Sequence, residues 1–276
     1  MRNYYTMLYY TAFICLSSLW GQVALHANAN ATRLEANNLH CIDELLSNFL
    51  RHYKANEILF VWDLNYTLVY PSDPCLHTNN INLHKQTFDE IIKQISHSEA
   101  DKMLSHLMAN KPQKLVNDQL ASFLKKYQDV NFLVCSNSLK DNIDPYLHLL
   151  ESHQISMKNH YQLSNFEFNE FGEYLSGRPI YKNAVILTNK EDKGAVLQYF
   201  LKRVSSKPKL IIVVDNNAKK LQSVMSKMST LPETTIVTVE YTEYKTKAIP
   251  TVSNEVFRDY WTEQVKTFQK SAKPIH

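Results

Sequence analysis

The sequence predicts an α/β protein in which a central parallel sheet lies between two layers of helices, with a helical insertion after its first strand. Five short apolar runs rich in Val, Ile and Leu recur along the chain, and helical patterns lie between them. Continuously apolar runs are typical of strands that are buried on both faces of a parallel sheet. Strands that alternate with helices indicate a doubly wound, three-layer sandwich. We therefore expect a ligand at the edge where the carboxyl ends of the strands meet.

The five predicted strands share this apolar character. They cover residues 58–62, 132–135, 184–187, 210–214 and 235–239. Apolar residues spaced three and four apart predict helices over residues 115–127, 193–204 and 218–228. Residues 160–181 are rich in Phe, Tyr and Asn and contain two glycines, so we expect turns or a short hairpin there.

The interval between the first two predicted strands is too long for a single crossover helix. A loop containing Pro, Asn and His follows the first strand, and helical patterns then cover residues 88–95 and 100–108. These patterns predict a helical insertion at about residues 75–112 that covers the strand edge like a cap. The insertion belongs to one domain that spans residues 32–276.

The overall composition limits the classes of function. With 276 residues, of which 44% are hydrophobic, the chain can bury a full core without a disulfide or a structural metal. Its 30 basic and 27 acidic residues are interspersed and leave a net charge of only +3, which argues against a nucleic-acid partner. Only 4 glycines argue against a glycine-rich phosphate loop, so any phosphate chemistry must use side chains and a metal.

The N-terminal segment has the three-part pattern of a secretory signal peptide. Arg2 precedes an apolar stretch at 7–20, and the small-residue run at 27–31 offers two overlapping A-x-A cleavage sites. A buried first helix or an uncleaved anchor is the alternative, but the apolar run is shorter than the roughly 20 residues that span a bilayer. We expect cleavage after Ala29 or Ala31, removal of residues 1–31, and export to the periplasm or the medium of a bacterium. The mature chain would then have no membrane span.

Export would place three cysteines in an oxidising environment. Cys135 lies within an apolar run and is expected to be a buried, small hydrophobic residue. Cys41 and Cys75 leave two alternatives open, a disulfide between them or free thiols throughout.

Polar residues suited to phosphate chemistry follow the predicted strands in a definite order. Asp63 follows the first strand, Ser136 and Asn137 follow the second, Lys193 starts the helix after the third, and Asp215 follows the fourth. Each of these residues, taken alone, is more often a turn or helix-cap residue. Because the carboxyl ends of parallel strands share one edge, their common position predicts a single site.

The order of these segments resembles motifs one to four of the haloacid dehalogenase (HAD) superfamily. The first motif of that superfamily is an apolar strand followed by D-x-D-x-[TV]-[LV], which Asp63, Thr67 and Leu68 match and Asn65 does not. The resemblance covers about residues 58–239 and implies a HAD-like Rossmannoid sandwich with a helical cap. A closer similarity is to a group of exported bacterial HAD-like proteins, through Lys-Gly-Ala-Val-Leu at 193–197 and Glu-Tyr-Thr at 240–242.

The resemblance implies a nucleophile and a metal site. Asp63 would attack a phosphoryl group and form an aspartyl phosphate, which divides one difficult displacement into two easier steps. Mg²⁺ would be held by the Asp63 carboxylate, the backbone carbonyl of Asn65 and the Asp215 carboxylate, because this cation prefers oxygen ligands. The partner would be a small phosphorylated molecule.

The resemblance also implies which residues bind the phosphoryl group. Ser136 would donate its hydroxyl to a phosphoryl oxygen, and Lys193 would neutralise charge in the transition state. Asn137 and Thr67 would complete the binding residues, and Thr67 would fix the turn after the nucleophile.

Two departures from the HAD pattern leave two functions open. Active HAD phosphatases have an aspartate at the position of Asn65 that protonates the leaving group and then deprotonates water, and an amide can do neither. Asn216 stands where a second acidic residue often supports the metal. The first hypothesis is a Mg²⁺-dependent hydrolase of small phosphate monoesters, and the second is a degenerate scaffold that binds a phosphorylated ligand or a protein partner without turnover.

Overall fold

The computed structural model describes residues 31–157, 161–175, 177–231 and 233–271. The strands are β1 (Ala31–Ala36), β2 (Ile58–Trp62), β3 (Val69–Pro71), β4 (Gln113–Leu115), β5 (Asn131–Ser136), β6 (Phe166–Glu167), β7 (Ile180–Lys182), β8 (Val185–Leu187), β9 (Leu210–Asp215) and β10 (Thr235–Tyr241). The helices are α1 (Leu39–Phe49), α2 (Thr78–Leu83), α3 (Lys85–Ile92), α4 (His97–Asn110), α5 (Leu120–Lys126), α6 (Ile143–Ser152), α7 (Lys193–Arg203), α8 (Ala218–Met228) and α9 (Asn254–Ser271).

The main sheet has the order β1-β10-β9-β2-β5-β8-β7-β6. The first six strands in this order run parallel, and β7 and β6 are added antiparallel at one end. From β2 the chain moves outward through β5 and β8, and later returns to β9 and β10 on the opposite side of β2. The direction of winding therefore reverses between β2 and β9. This switch point is where open α/β sheets bind their ligands.

The sheet is buried on both faces, which explains the continuously apolar strands. Phe60 and Trp62 of β2 pack in one core with residues of α1, α5 and α6, whereas Leu59 and Val61 pack in a second core with residues of α7 and α8. Successive side chains of a strand point to opposite faces, so both sets of residues are apolar. The predicted three-layer sandwich is confirmed.

The predicted elements agree with the structure except near the insertion. All five predicted strands are present, and β6 pairs antiparallel with β7 in the region expected to form a hairpin. The predicted helix at 115–127 was wrong at its start, because α5 begins only at Leu120. Leu115 belongs to β4, the Val116 N–H donates to the Leu68 carbonyl at 2.9 Å, and the Asn117 side chain accepts from the Gln119 N–H at 2.9 Å. These bonds hold residues 116–119 in a turn between β4 and α5.

The edge strand β1 was not predicted, because its alternation of small, charged and apolar residues lacks an apolar run. Ala31 is buried and pairs with Ile236 of β10. Residues 1–30 of the predicted signal segment lie outside the described residues, so only its last residue can be placed. Cleavage after Ala29 would leave β1 whole, whereas cleavage after Ala31 would remove its first residue. In the described part of the chain, no helix is long and apolar enough to cross a membrane.

The helices α2, α3 and α4 lie between β3 and β4, which pair antiparallel. They form a third apolar cluster with the C-terminal helix α9, which the sequence analysis did not predict. The Trp261 indole N–H of α9 donates to the Cys75 carbonyl at 3.2 Å. We call α2–α4 together with α9 the cap.

The cysteines of the described residues are free and buried, which rules out the Cys41–Cys75 disulfide in this structure. Cys41 is a residue of α1 in the core of the sheet, whereas Cys75 lies in the third apolar cluster with the cap helices. Cys135 is a fully buried residue of β5, as expected.

Gly194 is expected to be intolerant of a side chain, because α7 and α8 approach each other closely at this position. A Cβ atom at Gly194 would lie 2.8 Å from the Ser223 carbonyl oxygen and 3.0 Å from the Val224 Cα. We expect Gly194→Ala to lower the free energy of unfolding by about 1–3 kcal/mol, the usual range for overpacking. Urea titration measures this change. Gly172→Ala is the matched control, since nothing lies within 4 Å of its added Cβ, and equal stability of the two variants would contradict the prediction.

Candidate functional site

Two carboxylates lie side by side at the switch point of the sheet. Asp215 is the last residue of β9, and Asp63 directly follows β2, the neighbouring strand. The Asp63 N–H donates to the Val214 carbonyl at 2.8 Å, which continues the pairing one residue beyond β2. Both carboxylates are buried.

The Lys193 ammonium lies between the two carboxylates. Lys193 is the first residue of α7, and Asp192 caps this helix by accepting from the Ala195 N–H. Lys193 Nζ donates to Asp63 Oδ1 at 2.7 Å and to Asp215 Oδ2. Its side chain is only 2% exposed. Two carboxylates and one ammonium leave one excess negative charge in a buried site.

The second oxygen of each carboxylate accepts a further hydrogen bond. Thr67 Oγ1 donates to Asp63 Oδ2 at 3.3 Å and accepts from the Asn216 N–H at 3.1 Å. The Asn217 N–H donates to Asp215 Oδ1 at 2.8 Å. Thr67 thus joins the turn after β2 to the loop after β9, and these bonds hold both carboxylates in place.

A model of the family described as "Protein of unknown function (DUF2608)" matches residues 20–271. The chain belongs to this DUF2608 family. The match includes all the strands of the sheet and the cap helices. No curated protein and no solved structure matches the chain.

Two other predicted site residues of this DUF2608 chain lie at and just beyond the end of β5. Ser136 is buried, and its hydroxyl lies 3.2 Å from that of Ser138. The Asn137 side-chain oxygen accepts from the Thr188 hydroxyl at 2.6 Å, which joins the loops after β5 and β8. Hydrogen bonds thus join Asp63, Thr67, Lys193 and Asp215 in one group. Ser136 and Asn137 lie outside this group and contact Ser138 and Thr188 instead.

Tyr146 is a residue of this region that the sequence analysis missed. It lies on α6, is fully buried, and its hydroxyl accepts from Ser138 Oγ at 3.1 Å and from Asn65 Nδ2 at 3.2 Å. The other amide atom of Asn65, Oδ1, is buried and has no hydrogen-bond partner in the described structure. No local signal marks Tyr146, because a tyrosine on the apolar face of a helix is usually a core residue.

Burial and neighbouring charges together set the protonation of the groups in the site. Burial and the neighbouring Asp63 carboxylate raise the pKa of Asp215, although the charges of Lys193 and Lys220 oppose them. Burial alone would lower the pKa of Lys193, but the Asp215 and Asp63 carboxylates outweigh it and raise that pKa, so the ammonium stays charged. Cys135 lies nearby, and burial raises its pKa to about 12, which keeps the thiol neutral and unsuited to act as a nucleophile.

The two carboxylates fit the ligand set of Mg²⁺ in sites that also bind phosphate. Such sites use one or two carboxylates together with water and phosphate oxygens. Asp63 and Asp215 converge on one point and keep one excess negative charge after Lys193 is counted. No group of three or more acidic, His or Cys side chains suited to a metal lies within the described ranges. The carbonyl of Asn65 is the third ligand that the resemblance implies.

The cap is bonded directly to the loops around the site. Ser105 of α4 accepts from the Leu139 N–H at 3.2 Å and from Asn142 Nδ2 at 2.6 Å, beyond the end of β5. The hydroxyl of Tyr66, in the turn after Asp63, accepts from the N–H of Thr78, the first residue of α2, at 3.1 Å. The Asp63 side chain is only 4% exposed, so solvent hardly reaches it.

Proposed function

We propose that this chain is a HAD-type phosphohydrolase that transfers the phosphoryl group of a small phosphorylated compound to Asp63 and then to water. One observation carries the proposal: the Asp63 and Asp215 carboxylates converge on the Lys193 ammonium at the switch point of the sheet. A buried cation beside a nucleophilic carboxylate is suited to bind a phosphoryl group and to stabilise the charge that develops during its transfer.

Each residue has a definite role in the first step. An Asp63 carboxylate oxygen attacks phosphorus, the bond from phosphorus to the leaving oxygen breaks, and the leaving group takes the bonding electron pair. Lys193 offsets the negative charge of the three phosphoryl oxygens. Ser136 donates its hydroxyl to one of these oxygens, which requires its hydroxyl to turn away from Ser138. Thr67 holds the Asp63 carboxylate in position through its 3.3 Å hydrogen bond.

Asp63, Asp215 and the backbone carbonyl of Asn65 would hold Mg²⁺. The cation would neutralise the excess negative charge of the site and polarise a phosphoryl oxygen when substrate is bound. Asn65 and Asn216 supply amides in place of further carboxylates, and we expect weak metal binding for that reason.

A second function, binding of a phosphorylated ligand without turnover, is favoured by the chemistry of Asn65. Its amide is anchored on the Tyr146 hydroxyl, and an amide cannot transfer a proton to a leaving group. Such a chain would keep the phosphoryl-binding residues and lack the hydrolytic step.

The localisation and the partner that we propose rest on the signal-peptide pattern of the N-terminal segment and on the distribution of charged residues. We propose export to the periplasm or the medium after removal of the signal segment, and a small phosphorylated molecule as the partner. The interspersed charge argues against nucleic acid as a partner.

Replacing the nucleophile tests the proposed function. We expect the protein to release phosphate from some members of a panel of phosphate esters and acyl phosphates in Mg²⁺, and we expect Asp63→Ala and EDTA to reduce release to background. Asp118→Ala is the matched control, because Asp118 is an exposed loop residue. Equal release by the protein and by Asp63→Ala would contradict hydrolysis. If a phosphorylated compound then still raised the melting temperature of the protein, the second function would be supported instead.

A further inference from the structure

The hydrogen bonds beside Asp63 form a chain of hydroxyl and amide groups. Ser136, Ser138, Tyr146 and Asn65 are joined in that order by contacts of 3.2, 3.1 and 3.2 Å. The turn that carries Asn65 also carries Asp63, so this chain borders the nucleophile. Within the described residues, these bonds include no carboxylic acid and no imidazole.

None of these groups is suited to protonate a leaving group near neutral pH. Hydroxyls of serine and amides do not act as acids in this range. A tyrosine hydroxyl has an ordinary pKa of about 10, and the buried Tyr146 hydroxyl is the acceptor in both of its bonds in this chain. Lys193 donates to both carboxylates of the site, so its proton is engaged in these two bonds. Both oxygens of Asp215 accept hydrogen bonds, from the Lys193 ammonium and from the Asn217 N–H, so this carboxyl group is held as an acceptor. None of these groups is therefore placed to give a leaving group its proton.

We infer that the phosphoryl donors of this site are acyl phosphates, whose carboxylate leaves as a stable anion, rather than alkyl phosphate esters. This inference rests on the proposed function and names its substrate class. An alkyl ester would leave as an unstable alkoxide unless a general acid protonated it. The phenolate anion of an aryl phosphate is intermediate in stability between a carboxylate and an alkoxide. Aryl phosphates serve as probes because substituents on the ring change the stability of the phenolate in steps.

The transfer balances without any proton. The acyl phosphate loses its bond between phosphorus and the carboxyl oxygen, and an Asp63 carboxylate oxygen forms the new bond to phosphorus. One carboxylate anion is released for the one consumed, and one acyl phosphate replaces another. The driving force is therefore small, so the step needs positioning and charge stabilisation rather than acid catalysis.

Release of the phosphoryl group from Asp63 needs one water molecule. The water oxygen bonds to phosphorus, the bond from phosphorus to Asp63 breaks, and both water protons end on the phosphate, which leaves as dihydrogen phosphate. No carboxylate or imidazole in the described hydrogen-bond chain can take a proton from this water. Hydrolysis of the aspartyl phosphate is therefore slow, and the phosphorylated protein accumulates.

A series of substituted phenyl phosphates, with acetyl phosphate as the acyl donor, tests the inference in Mg²⁺. For the unmodified protein, we expect kcat/KM to fall steeply as the leaving anion becomes less stable. Asn65→Asp supplies a carboxyl group that can protonate the leaving group, so its kcat/KM should fall less steeply. At the end of the series with the least stable anion, its kcat/KM should exceed that of the unmodified protein by roughly 10²- to 10⁴-fold, the usual size of general acid catalysis. Acetyl phosphate should give a rapid release of about one acetate per protein, followed by slow turnover.

Tyr146→Phe distinguishes a positioning role from acid catalysis. Removing the hydroxyl removes no proton donor in our scheme, so the dependence on the leaving group should parallel that of the unmodified protein. A steeper dependence in Tyr146→Phe would show that Tyr146 is a general acid and would overturn the inference.

Two other results would overturn it in distinguishable ways. Equal, shallow dependences for the unmodified protein and Asn65→Asp would refute the substrate class and leave the phosphohydrolase intact. Absence of turnover and of phosphorylated protein with every donor, in both proteins, would refute the proposed function itself and the inference with it.

Discussion

Replacing Asn65 with aspartate is expected to raise the hydrolysis of an alkyl phosphate by at least roughly tenfold, and up to the 10²- to 10⁴-fold that general acid–base catalysis usually contributes. The new carboxyl group would protonate the leaving alkoxide and later accept a proton from the attacking water. The site already has Asp63, the proposed nucleophile, and the Lys193 ammonium, whose Nζ lies 2.7 Å from Asp63 Oδ1. Initial rates of phosphate release in Mg²⁺ measure the gain.

An amide-to-carboxyl change elsewhere in the site is the matched control. Asn137→Asp adds the same charge near the end of β5, but its side chain is bonded to the Thr188 hydroxyl at 2.6 Å, and we expect no gain. If Asn65→Asp folded normally and also gave no gain, phosphate or metal binding would have been lost together with the proton relay. That result would contradict the prediction and would count against turnover at this site.

Replacing Lys193 with methionine is expected to lower the free energy of unfolding by about 3–5 kcal/mol, the usual cost of removing one partner of a buried ion pair. Without the ammonium, Asp63 and Asp215 face each other in a buried site, and their side chains are only 4% and 0% exposed. Methionine keeps a similar volume, so the loss reports on charge. Denaturant titration in EDTA at neutral pH measures the change.

Two further variants separate the charge effect from packing. Asp63→Asn leaves one ammonium with one carboxylate, and we expect stability equal to or above that of the unmodified protein, because it removes the excess buried negative charge.

Lys202→Met changes an exposed lysine of the same helix. The loss of its contact with Tyr199 should lower the free energy of unfolding by about 1 kcal/mol or less. If Lys193→Met and Lys202→Met cost the same, Lys193 would not offset the two carboxylates.

The sheet could be predicted well because burial on two faces leaves a strong pattern. The strands β2, β5, β8 and β9 each contain a continuous apolar run, and β10 contains a run that only Thr238 interrupts; each was predicted from that run. The edge strand β1 has only one strand neighbour and therefore tolerates polar residues. It was not predicted because Thr32, Arg33 and Glu35 leave no apolar run in its sequence. The C-terminal helix α9 packs on α2–α4 rather than on the sheet. Its apolar residues Phe257, Trp261 and Val265 are four residues apart, a helical pattern from which α9 could have been predicted.

The candidate site was only partly predictable. The positions of Asp63 and Asp215 follow from the strands that precede them, since parallel strands end at one edge. The involvement of Tyr146 depends on the packing of α6 against the sheet, because this packing brings its hydroxyl within 3.2 Å of Asn65. Spacing along the chain contains no information about such a contact.

By itself, the sequence determined the layers of the fold and the edge at which the polar residues collect, because hydrophobic periodicity and strand direction are local properties. The tertiary structure alone decided that the Lys193 ammonium lies between two buried carboxylates, 2.7 Å from Asp63 Oδ1. It also decided that Asn65 is held by Tyr146 and that α9 completes the cap. These contacts join segments far apart in the chain, and their geometry results from the packing of whole helices on the sheet.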